Sequence, residues 1–147
     1  MLRDKIETKS TRDIWVEYRE GFRVKLRYVP REHLRKIIER CQRVEWDHKT
    51  HQKKETSLDQ RKWAHLFAEE VFLDWEGLTP EMLRSMIEMK EYPAGAVPFS
   101  IEDCEELLYH AYDFDVWAQE LCADLAAFEA VADAERKKSS APSPGMN

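Results

Sequence analysis

No stretch of this 147-residue chain approaches the ~18 consecutive apolar residues of a membrane span. Its first ten residues, MLRDKIETKS, lack the apolar centre of a secretory signal. Cysteine is scarce. Cys41, Cys104 and Cys122 are odd in number, far apart and never in a CxxC pair, which predicts reduced thiols in a cytoplasm. Each sits among apolar helical positions and reads as a small core residue rather than a nucleophile. A zinc site is also incomplete. His48 and His51 form an HxxH pair near Cys41 and Asp47, but tetrahedral zinc wants four ligands and no second pair exists. There is no internal repeat, and no nucleophile with a base that would mark an acid–base site. His33, His65 and His110 stand singly. The expectation is a protein without cofactor, metal or enzymatic activity.

What is present suffices for one core. The composition is 43% hydrophobic and 11% aromatic, with 35% charged residues to solvate the surface. The net charge of −6 hides a split: residues 1–62 hold 18 Lys+Arg against 11 Asp+Glu, a net of +7, so the remainder holds −13. Such a dipolar chain can fold its basic half over its acidic half, or pair head to tail between copies. A dedicated nucleic-acid binder is disfavoured, because the acidic half would repel phosphate.

The chain is organised around SLDQRKWAHLFAEEVFLDWEG, residues 57–77. Ser57 and Gln60 fit a capping box and Gly77 fits the position just past a helix end, so the pattern predicts one helix of about five turns. Trp63, Ala64, Leu66, Phe67, Ala68, Val71, Leu73 and Trp75 would cover about 220° of its circumference, enough to be packed from two sides. Glu70 and Asp74 fall four apart inside that arc. Acids in an apolar face must be paired, protonated or open to a groove. The candidate partner-binding set is therefore Trp63, Phe67, Glu70, Val71, Asp74 and Trp75. The same apolar residues also suit a plain core.

Before this segment, Ile14, Val16 and Tyr18 and then Phe22, Val24, Leu26 and Tyr28 alternate in two strands around Glu20-Gly21, a hairpin signal. The opposite face lines up Arg23, Lys25 and Arg27, a row that could touch nucleic acid or pair with Glu70 and Asp74. Pro30 opens a helix with Leu34, Ile37, Ile38 and Cys41 on one stripe. Residues 44–56 read as a polar connector whose one large apolar residue is Trp46. Afterwards, Thr79-Pro80-Glu81 starts a helix reaching about Lys90, and Ser100 with Asp103 starts another. HAYDFDV marks a turn or kink, and a last helix runs from Val116 to Val131. Residues 1–12 read as a flexible arm, 13–135 as a single globular domain and 136–147 as a disordered tail. The expected class is α+β, mostly α: an N-terminal β-hairpin followed by about five helices packed around a central helix.

Phe67, Glu70, Val71, Asp74, Trp75, Glu76 and Gly77, followed by Val97, Pro98, Phe99 and Ser100 and then Asp103, Leu107 and Leu108, resemble the tail assembly chaperones of long-tailed bacteriophages and their prophage relatives. That family is similar in its W-x-G helix end, its proline–aromatic step with a capping hydroxyl, its LL helix and its N-terminal hairpin. This chain departs in carrying a whole helix from Pro80 and a basic connector at 44–56. The resemblance implies a non-enzymatic role, coating an apolar helical tape measure protein until tail tube subunits surround it. The alternative is an oligomeric protein-interaction module assembled through its opposite-charge halves.

Overall fold

The computed structural model describes residues 13–140; the expected flexible arm and the last residues of the expected tail lie outside them. The class is α+β, mainly helical, with an N-terminal hairpin, as its sequence predicts. β1 (Asp13–Arg19) and β2 (Phe22–Arg27) pair antiparallel with Val16 opposite Val24, and Gly21 takes a φ of +86° in the turn between them. Val16, Phe22, Val24 and Leu26 are buried, so the alternation read from the sequence puts one face of the hairpin into the core.

The predicted single helix over 57–77 is two elements. α1 (Arg31–Cys41) precedes it, then α2 spans Gln60–Val71, and Phe72–Glu76 leaves the helical path to form a third strand beside β2. Val24 lies opposite Trp75, Lys25 opposite Asp74 and Arg23 opposite Glu76. The register shifts so that Leu73 is an extra residue on this strand, a bulge that turns Phe72 and Trp75 inward together. Inward residues three apart are also what a helix produces, which explains why the periodicity misleads here. Once β2 offers an open edge, pairing satisfies the backbone of Phe72–Glu76 while burying two large rings. The cap differs too. Asp59, not Ser57, accepts the Lys62 amide, and that amide and then the Arg43 guanidinium hold the Asp59 carboxyl below its usual range.

Residues read as a connector form a second, separate sheet: β3 (Gln42–Trp46) pairs antiparallel with β4 (Lys53–Leu58), and Phe72–Glu76 is accordingly β5. Its turn is closed by the Asp47 carboxylate accepting the Lys49 amide and by His51 at a φ of +57°. No apolar face alternates along this ribbon, so the sequence offers no strand period to read.

α3 (Pro80–Met86) is capped by Thr79 and stops four residues before Lys90, where Ile87 turns extended and the Tyr92 hydroxyl donates to its carbonyl. α4 (Ile101–His110) is capped by Ser100, as expected. The predicted last helix is broken at Asp124 into α5 (Tyr112–Ala123) and α6 (Leu125–Ser140). α6 therefore runs past Glu135, the expected end of the globular part. α2 packs against α4, α1, β2 and β5, so the central helix is covered by its own chain on several sides.

Gly77 sits where β5 leaves the sheet, at a φ of +82°, and a Cβ there would run into the Gly21 carbonyl; a Cβ on Gly21 would meet nothing. Gly21→Ala is expected to cost about 1–2 kcal/mol through its backbone conformation alone. Gly77→Ala adds a backbone overlap and should cost about 3 kcal/mol or more. Urea unfolding of both variants checks the order, and equal losses would refute the close approach.

Candidate functional site

The sequence singles out six residues, and the structure separates them. Trp63, Phe67 and Val71 line the inner side of α2, and all three are buried. The Trp63 and Phe67 rings stack with centroids 4.7 Å apart, and Phe72 meets Phe67 edge-on at 5.6 Å. Trp75 is buried from β5: its indole Nε1–H donates to the Val97 carbonyl at 2.9 Å and its ring takes the edge of Phe99 at 5.0 Å. The two sequence signatures around Trp75 and Val97–Ser100 thus meet in space, with Leu107 and Leu108 also buried. They meet as core packing, and the four apolar candidates leave no groove between them.

Glu70 and Asp74 are the accessible members, and they do not act together. Glu70, half-buried on α2, faces His33 Nε2 at 3.3 Å beside a shallow crevice of about 250 Å³ lined by Arg27, Tyr28, Val29 and Pro30. Asp74 points outward on β5, accepts the Trp75 amide and lies opposite Lys25. Other acids answer the rest of the basic row: Arg23 pairs with Glu76 at 3.5 Å and Glu135 at 3.0 Å, and Arg27 with Asp13 at 3.7 Å. With both arginines of the row paired, little is left for a phosphate backbone.

One polar residue of the core escaped the sequence reading. Asp115 is only 7% exposed, and its carboxylate accepts Trp63 Nε1–H at 3.0 Å and Gln119 Nε2–H at 2.9 Å. Burial pushes its pKa up, and the two hydrogen bonds act the other way more weakly. The signal available was the need of a buried indole N–H for an acceptor. The three cysteines are buried, and burial drives the Cys122 thiol up to about 12 and Cys104 well above its ordinary value, so neither supplies a thiolate at neutral pH.

Outside the core, a cleft of about 240 Å³ opens where the end of β1, α3 and the α4–α5 junction converge. Tyr18, Met86, Ala111, Tyr112 and Phe114 line it, with Asp113 at the side, and Arg19 closes one wall by donating to Ser85. Tyr112 is 75% exposed. Among the described residues no group of His, Cys, Asp or Glu is placed to hold a metal ion, and no helix is long and apolar enough to cross a membrane. Comparisons with protein-family models, curated proteins and solved structures give no match. The functional reading therefore rests on the geometry above and on the resemblance in sequence.

Asp115 makes stability depend on pH in a defined direction. A carboxyl whose native pKa lies above its unfolded value costs nothing below the ordinary aspartate range, where both states are protonated. The cost appears as pH rises through that range and levels off once the native carboxyl has ionised. Asp115→Asn retains an acceptor for Trp63 and removes the titration. The variant should gain stability relative to the parent between acid and neutral pH, read from denaturation midpoints; parallel profiles would refute the buried charge.

Proposed function

We propose that this chain is a non-enzymatic assembly chaperone of the bacteriophage or prophage tail kind, acting in the host cytoplasm on apolar helical segments of a tape measure protein. The observation that carries the reading is the Tyr18–Met86–Tyr112 cleft, where Tyr18 and Arg19 of the basic half meet Met86, Tyr112 and Asp113 of the acid-rich half. Met89, Tyr109 and Tyr112, three of the large apolar side chains left exposed, fall on the same α3–α5 segment. A client that shows an apolar helix needs such aromatic and methionine contacts inside a charged envelope that keeps the complex in solution. The likeness of the Trp75 and Val97–Ser100 signatures supports a shared core, and the cleft supplies the contact surface that those buried residues do not. Client contact is therefore assigned to Tyr18, Met86 and Tyr112 instead of Trp63, Phe67, Val71 and Trp75. Asp115 holds two donors in the core, and Glu70 faces His33.

Peptides covering the amphipathic helices of the tape measure protein encoded beside this gene provide the test. At least one should bind, and Tyr112→Ala should weaken it about tenfold or more without lowering the melting temperature. Failure of every peptide at high micromolar concentration would remove the proposal. The gene is also expected between those of the tail tube and the tape measure protein.

A further inference from the structure

α4 is the helix packed most closely on α2, and the outer seam between them is charged. Arg61, His65 and Glu69 follow one another at four-residue steps along α2, and Glu105, Glu106 and Tyr109 meet them from α4. Arg61 reaches Glu106 at 2.8 Å and Glu105 at 4.0 Å, and its guanidinium lies 4.0 Å from the centre of the Tyr109 ring. His110 Nε2 lies 3.3 Å from the other oxygen of Glu106. His65 sits in the middle of the seam, its Nε2 2.9 Å from Glu69 on its own helix and its Nδ1 3.1 Å from Glu105 on α4.

That double contact sets His65 apart. His33 and His110 each present one nitrogen to a carboxylate, and a neutral ring meets that with its single N–H. An ionised carboxylate only accepts, so two of them on one imidazole are both satisfied only when both ring nitrogens carry protons. In the neutral ring, one lone pair would point at a carboxylate oxygen within contact distance. Charge argues the same way. With neutral imidazoles the seam sets one guanidinium against Glu69, Glu105 and Glu106, whereas protons on His65 and His110 bring cations and anions to parity. Among the described residues, Glu69 and Glu105 are the charged groups within ion-pair distance of His65. Arg61, Glu106 and His110 act on it through Glu105 and their own contacts.

We infer that His65 is a proton-operated clamp between α2 and α4, closed when the imidazole carries both protons and loosened when it gives one up. The clamp goes beyond the proposed function and holds for any occupant of the cleft. α4 ends at His110 and passes through Ala111 into α5, so the clamp sets how firmly the segment bearing Tyr109 and Tyr112 is held. The direction of the pH dependence is fixed by the geometry. A fold that favours the doubly protonated ring draws stability from it below the ordinary imidazole range, around pH ~6.5, and loses that share as pH rises through it. His65 and Glu69 are about half exposed, so the share is modest.

Urea midpoints of the full chain on either side of the histidine range, at about pH 5.5 and about pH 8.5, test the clamp. His65→Gln keeps one donor and never charges. It should fall below the parent by roughly 0.2–0.5 M urea at the lower pH and by less than half of that at the higher. Asp115 titrates in both proteins and cancels from the difference. Glu105→Gln gives a second reading, because its amide can donate to the lone pair of the neutral ring. That variant should fall below the parent at the lower pH and recover most of the difference at the higher. Neither substitution opens the core, since both side chains reach solvent. Hydrogen exchange locates the effect: between the two pH values, corrected for intrinsic rates, residues 101–110 should lose more protection in the parent than in His65→Gln. Equal deficits of His65→Gln at both pH values would overturn the clamp. So would a Glu105→Gln deficit that persists undiminished at the higher pH, or identical exchange changes in α4 of the parent and His65→Gln.

Discussion

Val71 ends a helix and Phe72 begins a strand with no loop between them. That junction is the constraint on which the rest of the molecule depends. It fixes the direction of α2 relative to the sheet and forces both to share one core. The shared core is aromatic: Phe72 lies 5.7 Å from Phe114, Phe114 stacks at 5.7 Å on Phe22, and Phe67 meets Phe72 edge-on. Phe114 sits near the start of α5, and its neighbour Asp115 takes the Trp63 indole proton. Three elements distant in sequence are tied at one point by packing and a single buried hydrogen bond.

Charge follows the same geometry. The outer face of the sheet alternates cations and anions across strands, Asp13 with Arg27, Arg23 with Glu76 and Lys25 opposite Asp74. Arg23 also reaches Glu135, joining α6 to the sheet. Basic and acidic halves are thus partly folded onto each other. The excess that remains is separated: cations around α1 and the ribbon, anions along α4 and α5. Exposed pairs of this type add little stability individually. Their arrangement matters more for which surfaces attract one another.

Local signals were legible. Gly21 within an alternating run marks the hairpin, Thr79-Pro80 and Ser100 with Asp103 mark helix starts, and the stripe from Leu34 to Cys41 marks α1. What the sequence hid depends on contacts between distant residues. β5 needs β2 beside it, and the Leu73 bulge disguises a strand as helix. The ribbon's sequence holds too few apolar residues to impose a period. Asp115 can be placed only once Trp63 lies above it. Of the candidate set, Glu70 and Asp74 are accessible, whereas Trp63, Phe67, Val71 and Trp75 are consumed by the core. Tyr112 carried no periodic signal at all, because exposure at a helix start is set by where two helices meet.

Cys41 passes directly into β3, and β4 returns to α2 through Asp59 alone. The ribbon is therefore a lever whose fulcrum is the α1–α2 pair. With strands rising about 3.3 Å per residue, its end stands roughly 16 Å from that base. A tilt of about 10° between the two helices would sweep Trp46 through nearly 3 Å, on this lever arm. Small adjustments in how those helices pack are thereby magnified into displacements of a side chain at the edge of the molecule.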